Sequence, residues 1–312
     1  MRAIGITEFG GPEALHVVEL PEPQAGPGEV RIRVRAAGVN PTDTLIRSGA
    51  RAQQLKEFPP PYVPGMDVAG ELDQIGEDVT TDLRVGDRVM AIVVPSGSHG
   101  AYSEFVVVPA ESVARVPAGA TDAEAATLPM NGLTVRLALD VLDLRPGQTL
   151  AVSGAAGAVG GYAVQLGKAA GLRVIADASP GDGQLVKELG ADIIVPRGDD
   201  FGARVRAVVP EGADAVIDGA LLDHLALPAV REGGRIVTVR GYQGPGEGDT
   251  TCHPVLVRSY AREQAKLDQL RQQVEDGQVT LRVAATLPAQ QAAEAHRRLE
   301  AGGVRGRLVL EF

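Results

Sequence analysis

Residues 149–160 read Thr-Leu-Ala-Val-Ser-Gly-Ala-Ala-Gly-Ala-Val-Gly, and the fold turns on this stretch. Thr149 to Ser153 is a short apolar run with a β-branched start. Three glycines follow at GxxGxxG spacing, Gly154, Gly157 and Gly160, and then Val164, Leu166 and Ala170 continue at helical spacing. Strand, glycine turn and helix in that order form the context a phosphate-cradling turn requires. Glycine lets the backbone approach a pyrophosphate with no Cβ in the way. The N–H groups at the helix start, those of Ala158 and Val159 among them, offer unpaired donors and a positive dipole end.

A second strand follows over 173–177 and ends in Asp177, 20 residues after Gly157, near the ~20 expected for a carboxylate that binds a ribose. Further strand-like runs lie at 192–195, 214–218 and 235–239, each preceded by a stretch that can be helix or loop. Short apolar strands alternating with helices predict a parallel sheet covered on both faces. The expected fold class is therefore α/β, with a doubly wound parallel sheet, the Rossmann arrangement, binding a dinucleotide.

The chain has 312 residues, enough for two cores. A net charge of −10 and a pI near 5.1 argue against a nucleic-acid partner, which needs a basic face. A single cysteine, Cys252, excludes an internal disulfide and a thiolate-rich zinc site. With no apolar run of membrane-spanning length and no signal-like start, the expectation is a cytoplasmic protein without a membrane partner.

Residues 1–117 read differently from the middle of the chain. Short β-type runs at 15–20, 29–36, 68–75 and 105–108 are broken by Gly and Pro clusters. A helix starts near Ala123, with Thr121 or Asp122 as its cap. Beyond the nucleotide-binding segment come a Gly/Pro-rich loop over 241–249, a helix over 260–275 with Leu267, Leu270 and Val274 on one side, a strand over 280–285, a helix over 289–299 and a last strand over 307–310.

Several motifs occur in a fixed order: Ala36-Ala37-Gly38-Val39-Asn40-Pro41-Thr42-Asp43, Pro64-Gly65-Met66-Asp67-Val68-Ala69-Gly70, Val85-Gly86-Asp87-Arg88-Val89, Gly100-Ala101-Tyr102-Ser103-Glu104, Leu128-Pro129-Met130-Asn131-Gly132-Leu133-Thr134, the glycine turn, and the ending from Ala295-His296 to Gly306-Arg307. Together they resemble the medium-chain dehydrogenase/reductase superfamily, and within it the zinc-independent quinone oxidoreductases that include zeta-crystallin. The resemblance implies a β-rich GroES-like catalytic domain over 1–117, rejoined by 278–312, and a Rossmann domain over 118–277, with the cofactor in the cleft between them.

A catalytic zinc needs three protein ligands of the Cys, His or carboxylate type. Where zinc-dependent relatives place their first cysteine this chain has Asn40, and where they place a His-Glu pair it has Met66-Asp67. The five histidines, His16, His99, His224, His253 and His296, lack ligand spacing, so no metal is expected. Without a Lewis acid to stabilise an alkoxide, the plausible chemistry is hydride delivery to an acceptor already activated by conjugation, a quinone or an α,β-unsaturated carbonyl.

The resemblance implies that Asn40 and Thr134 sit near the nicotinamide and the substrate. Many relatives have a tyrosine three residues after the Asp of the Asn-Pro-x-Asp segment. Here that position is Ile46, which leaves Tyr62 or Tyr102 as hydroxyls able to reach the cleft and His99 as a weak general-acid candidate. The expected cofactor-binding set is Asn40, Thr134, Gly154, Gly157, Ala158, Val159, Gly160, Asp177, Ser179, Arg197, Gly219, Gly241 and Arg307. Asp177 suits a ribose diol and favours NADH, whereas Arg197 and Ser179 suit a 2′-phosphate. Family habit tips the expectation to NADPH, with NADH left open. An enoyl reductase of a biosynthetic pathway, and a low-turnover NADPH-binding protein with a structural or regulatory role, are the alternatives. The apolar run 254–257 reads as the last strand of the sheet, and an edge of that kind predicts a homodimer.

Overall fold

The structure, a computed structural model, describes every residue except 245–249, so the end of the loop expected over 241–249 lies outside the described residues. In chain order the elements are β1 (Arg2–Gly5), β2 (His16–Glu19), β3 (Glu29–Gly38), α1 (Pro41–Arg47), α2 (Ala52–Leu55), β4 (Asp67–Ile75), β5 (Arg88–Ile92), β6 (Phe105–Pro109), β7 (Val113–Arg115), α3 (Asp122–Ala125) and α4 (Pro129–Leu142). There follow β8 (Thr149–Ser153), α5 (Ala158–Ala169), β9 (Arg173–Ala178), α6 (Gly183–Glu188), β10 (Ile193–Pro196), α7 (Phe201–Val208), β11 (Ala213–Asp218), β12 (Val230–Thr238), β13 (Thr251–Pro254), α8 (Gln264–Glu275), β14 (Val283–Pro288), α9 (Ala292–Ala301) and β15 (Arg307–Glu311).

The chain divides into two compact units, one of Met1–Met130, Ala261–Glu275 and Leu281–Phe312, the other of Asn131–Tyr260 and Asp276–Thr280. In the first unit a seven-stranded sheet runs β14-β15-β3-β4-β5-β7, with β6 pairing the N-terminal half of β3. All pairings are antiparallel except β14 with β15. Strand β3 alternates, with Val30, Ile32 and Val34 buried, and these pack with Ile6, Leu72 and Tyr102 in one core. This alternation is what a half-buried strand needs.

The second unit is a six-stranded, all-parallel sheet in the order β10-β9-β8-β11-β12-β13. All five residues of β8 are buried, consistent with a central strand covered on both faces. From β8 the chain winds one way through β9 and β10, and the other way through β11, β12 and β13. The turn after β8 thus stands where the winding direction reverses, the place where open α/β sheets bind ligands.

Three expectations need adjustment. Helix α8 belongs to the first unit, because Gln264 Nε2 donates to the Val113 carbonyl at 2.9 Å and Glu275 Oε1 accepts from Ala118 N at 2.8 Å. The last strand of the parallel sheet is Thr251–Pro254, not 254–257: Val255 is buried, Leu256 is 54% exposed, and Val257–Tyr260 is a 3-10 turn. Strands β5 and β7 and helix α1 were not anticipated from the sequence, being short and flanked by turn residues.

Candidate functional site

In the second unit the glycine turn is shaped by contacts that no side chain would survive. A Cβ on Gly160 would lie 2.2 Å from the Gly154 carbonyl oxygen, and Gly154 has a φ of +69°, the left-handed region that glycine occupies without strain. Gly157 caps α5, and Ala158 and Val159 are its first two residues. Their N–H groups have no partner within the helix, so donors and the positive end of a 12-residue helix gather at this turn. Gly219, directly after β11, donates its N–H to the Ser153 carbonyl at 3.2 Å and lies beside the same turn. Gly241 follows β12 with a φ of +94°.

Asp177, buried near the end of β9, turns its carboxylate onto the glycine turn: Oδ1 accepts from Ala155 N at 3.0 Å, with Gly154 N as a further donor. Its other oxygen, Oδ2, is buried with no hydrogen-bond partner among the described residues. Burial pushes its pKa up, against the pull of those N–H groups and of the Arg197 charge. Arg197 is exposed, and Ser179 spends its hydroxyl on Asp182 Oδ2. A carboxylate anchoring the turn, an arginine acting on it and a cradle too tight for a methyl group fit the phosphates and ribose of a dinucleotide. Thr134, on α4, is buried.

In the first unit Asn40 caps α1 through a capping box. Asp43, at the third helical position, accepts from Asn40 N at 2.7 Å. The Asn40 side chain, expected to face nicotinamide and substrate, is fully buried and committed inside the unit. Its Nδ2 donates to Asp67 Oδ2 at 2.7 Å, and its Oδ1 accepts from Arg307 Nη2. Asp67 also accepts from Met130 N at 2.6 Å and stands 3.9 Å from Arg307 Nη2. Burial raises the Asp67 pKa, opposed first by Arg307.

A second buried cluster adjoins this one through Asp43. Tyr102 donates its hydroxyl to Asp43 Oδ2 at 3.0 Å and lies 3.2 Å from His296 Nε2, while Asp43 Oδ1 accepts from Gly65 N at 3.0 Å. Desolvation raises Asp43 to about 7 and lowers His296 to about 3. Tyr102 is fully buried and reaches no opening. Tyr62, the other hydroxyl expected at the site, donates to the Phe58 carbonyl at 3.1 Å and stacks on Phe9. His99 is half-buried, and burial depresses its pKa, which suits a neutral ring rather than a proton donor. The Asn-Pro-Thr-Asp pattern was itself a capping-box signal for Asp43. His296 carries no local signal, since its partners come from far along the chain.

The donor set at Asn40, Met66 and Asp67 does not fit zinc. Both Asp67 oxygens already accept hydrogen bonds, and among the described residues no three His, Cys, Asp or Glu are placed to hold a metal ion. No helix among the described residues is long and apolar enough to cross a membrane.

A family model for the alcohol dehydrogenase GroES-like domain matches residues 26–118, and one described as zinc-binding dehydrogenase matches residues 189–310. The chain is 32% identical to a quinone oxidoreductase of Mus musculus, over 99% of this chain and 97% of that one. It is also 32% identical to a quinone oxidoreductase of Pseudomonas aeruginosa, over 99% of both. Among solved structures, mycobacterial Rv1454c complexed with NADPH matches with a TM-score of 0.87 at 31% identity, over the full length of both chains. The ordered motifs, the two units and this full-length similarity make the chain a member of the quinone oxidoreductase family of the medium-chain dehydrogenase/reductase superfamily.

Proposed function

We propose that this protein is an NADPH-dependent oxidoreductase that reduces a quinone or another conjugated carbonyl without a metal. The observation that carries the reading is the glycine turn at the N-terminus of α5, closed to any side chain at Gly160 and anchored by Asp177. The quinone oxidoreductases at 32% identity and the neighbour solved with NADPH support it. Bound there, a reduced nicotinamide supplies a hydride. The chain's residues hold the phosphates on backbone N–H groups, and Arg197, whose charge acts on Asp177, is the proposed partner of a 2′-phosphate. Gly219, Gly241, Ser179 and Thr134 complete the proposed contacts. The domain roles follow the same reading, the β-rich unit catalytic and the parallel-sheet unit for the dinucleotide.

A homodimer in the cytoplasm belongs to the same proposal. Strand β13 is the edge of the parallel sheet, and Leu256 beside it is 54% exposed, which suits pairing with a second copy across a two-fold axis. Light scattering at micromolar concentration should give a dimer mass, and Leu256→Glu should shift it toward monomer; a wild-type monomer overturns the assembly.

The function is tested by NADPH and NADH oxidation against quinones, enones and enoyl thioesters. Turnover of quinones or enones with NADPH is expected. Turnover confined to enoyl thioesters makes the protein an enoyl reductase, and an inert panel with tight NADPH binding makes it a low-turnover binding protein.

A further inference from the structure

Among the described residues one buried carboxylate oxygen has no hydrogen-bond partner, Asp177 Oδ2. The fold brings it to the glycine turn. Ala176 is the last residue of β9 paired with β8, and the next residue, Asp177, lies opposite Val195 of β10 with 2% of its surface exposed. Its Oδ1 accepts from Ala155 N at 3.0 Å, so the carboxylate rests against the turn that opens α5. Asp218, at the end of β11 on the other side of β8, makes the contrast. Its Oδ1 accepts from the Ser153 hydroxyl at 2.5 Å and from Leu222 N at 3.1 Å, and its Oδ2 accepts from Asp223 N at 2.8 Å. Both oxygens of Asp218 are thus solvated by protein donors. One oxygen of Asp177 is not, and a buried anion short of a donor carries a cost that a proton removes.

A turn shaped for phosphates therefore has a negative group set against it, and a bound pyrophosphate adds charge of the same sign. The other charged groups facing Asp177 act in opposite senses: Arg197, after β10, favours the ionised carboxylate, whereas Asp218 joins burial in opposing it. Ser179 and Asp182, ahead of α6, are bonded to each other. Resting on the dinucleotide reading above, we propose that Asp177 takes up a proton from solvent when the cofactor binds, so that the pyrophosphate enters the turn together with one proton. The proton adds to Oδ2, no bond in the cofactor breaks, and the proton returns to solvent when the cofactor leaves. Oδ1 keeps its N–H bond in both states, which makes Asp177 a positioning residue of the turn and not a ribose ligand. The complex holds the proton more tightly than the free protein does. Affinity therefore rises as pH falls, and the gain is lost as pH rises through the titration of Asp177 in the complex. Burial already lifts that titration above the ordinary carboxylate range in the free protein.

The test uses NADH first, because the 2′-phosphate of NADPH is a monoester that itself titrates at about pH 6. Dissociation constants of wild type and Asp177→Asn are read by fluorescence from about pH 5 to 8. Calorimetry at one pH, in two buffers of different ionisation heat, counts the protons exchanged on binding. The wild-type dissociation constant should rise with pH by up to about tenfold per unit, the slope of a one-proton linkage, and calorimetry should show net proton uptake by the wild type. Asp177→Asn, which keeps an oxygen for Ala155 N, should bind with little dependence on pH and without uptake, so its advantage over wild type widens as pH rises. Equal uptake by the two proteins, or none by the wild type, overturns the proposal. So does weaker binding by Asp177→Asn across the whole range, which would assign the carboxylate to a ribose hydroxyl. The wild-type proton count needs no variant, so a misfolded Asp177→Asn still leaves the proposal open to refutation. Binding without proton uptake sinks this inference alone; failure to bind either NADH or NADPH sinks the reductase reading and this inference with it.

Discussion

A methyl group at Gly160 would press 2.2 Å from the Gly154 carbonyl, backbone against which no rotamer relief exists. Gly160→Ala should therefore open the turn, lower the thermal midpoint and weaken NADPH binding by more than about tenfold, ~1.4 kcal/mol, as read by fluorescence titration. At Arg197 the effect should be selective. A guanidinium holding a phosphate dianion makes charge-assisted bonds of roughly 1.5–3 kcal/mol, so Arg197→Ala should raise the NADPH Michaelis constant about tenfold and leave NADH almost unchanged. An unaltered NADPH to NADH ratio would make Arg197 a solvated loop charge. Asp177 needs a variant that respects its Ala155 contact. Asn keeps an oxygen for that N–H while removing a charge that repels phosphate, so Asp177→Asn should improve NADPH binding several-fold; weaker binding would assign Asp177 to a ribose hydroxyl.

Helix α1 shows how one element gathers distant groups. Asp43, one turn into the helix, accepts from Asn40 N, Gly65 N and the Tyr102 hydroxyl, all within the buried interior. Truncation to alanine leaves those donors unpaired at about 1–3 kcal/mol each, so Asp43→Ala should be among the most destabilising single substitutions in the chain. Asp43→Asn should cost much less, since the carboxamide retains an acceptor. Equal midpoints for Asp43→Ala and wild type in urea denaturation would show that the box does not hold the helix. Helix α3 carries the same device in exposed form, Thr121 with Glu124, where removal of the cap costs only about 1 kcal/mol.

For the whole molecule, the Asp43, Tyr102 and His296 cluster makes stability depend on pH in two opposing ways. Asp43 is raised from 3.8 to about 7, so the folded state holds its proton more tightly than the unfolded chain, and this contribution falls as pH rises from about 4 to 7. His296 is lowered from 6.5 to about 3, so the unfolded chain takes up a proton the folded state refuses, and its contribution rises with pH between about 3 and 6.5. Nearby Asp67 adds to the first shift and Arg47 to the second. The slopes oppose each other from about pH 4 to 6.5, and the titrations are linked through Tyr102. In that window the contributions of these two groups should largely cancel in the wild type. Asp43→Asn should unmask the histidine, giving stability that climbs with pH, and His296→Gln should unmask the aspartate, giving stability that declines. Identical profiles for all three would remove the cluster from the pH response.

The parallel sheet and its turn were legible because their signals are local. An apolar run, glycines of which Gly154 and Gly160 stand where a side chain is strained or excluded, and an acid at the end of the next strand follow one another within 30 residues, and β8, α5 and β9 form where those signals lie. The capped start of α3 and the buried Leu267 and Leu270 of α8 were readable for the same reason. What α8 packs against was not, because periodicity names the buried face and not its partner. The strand at the sheet edge was misplaced by apolarity alone: Thr251–Pro254 pairs through backbone groups that Cys252 and His253 supply as well as any β-branched residue. The meeting of Asn40 with Arg307, and of Tyr102 with His296, was decided by tertiary structure. Residues 267 and 194 apart are joined only when β15 returns to β3 and the interior closes, and the burial that shifts Asp43 and His296 exists in no local stretch of chain.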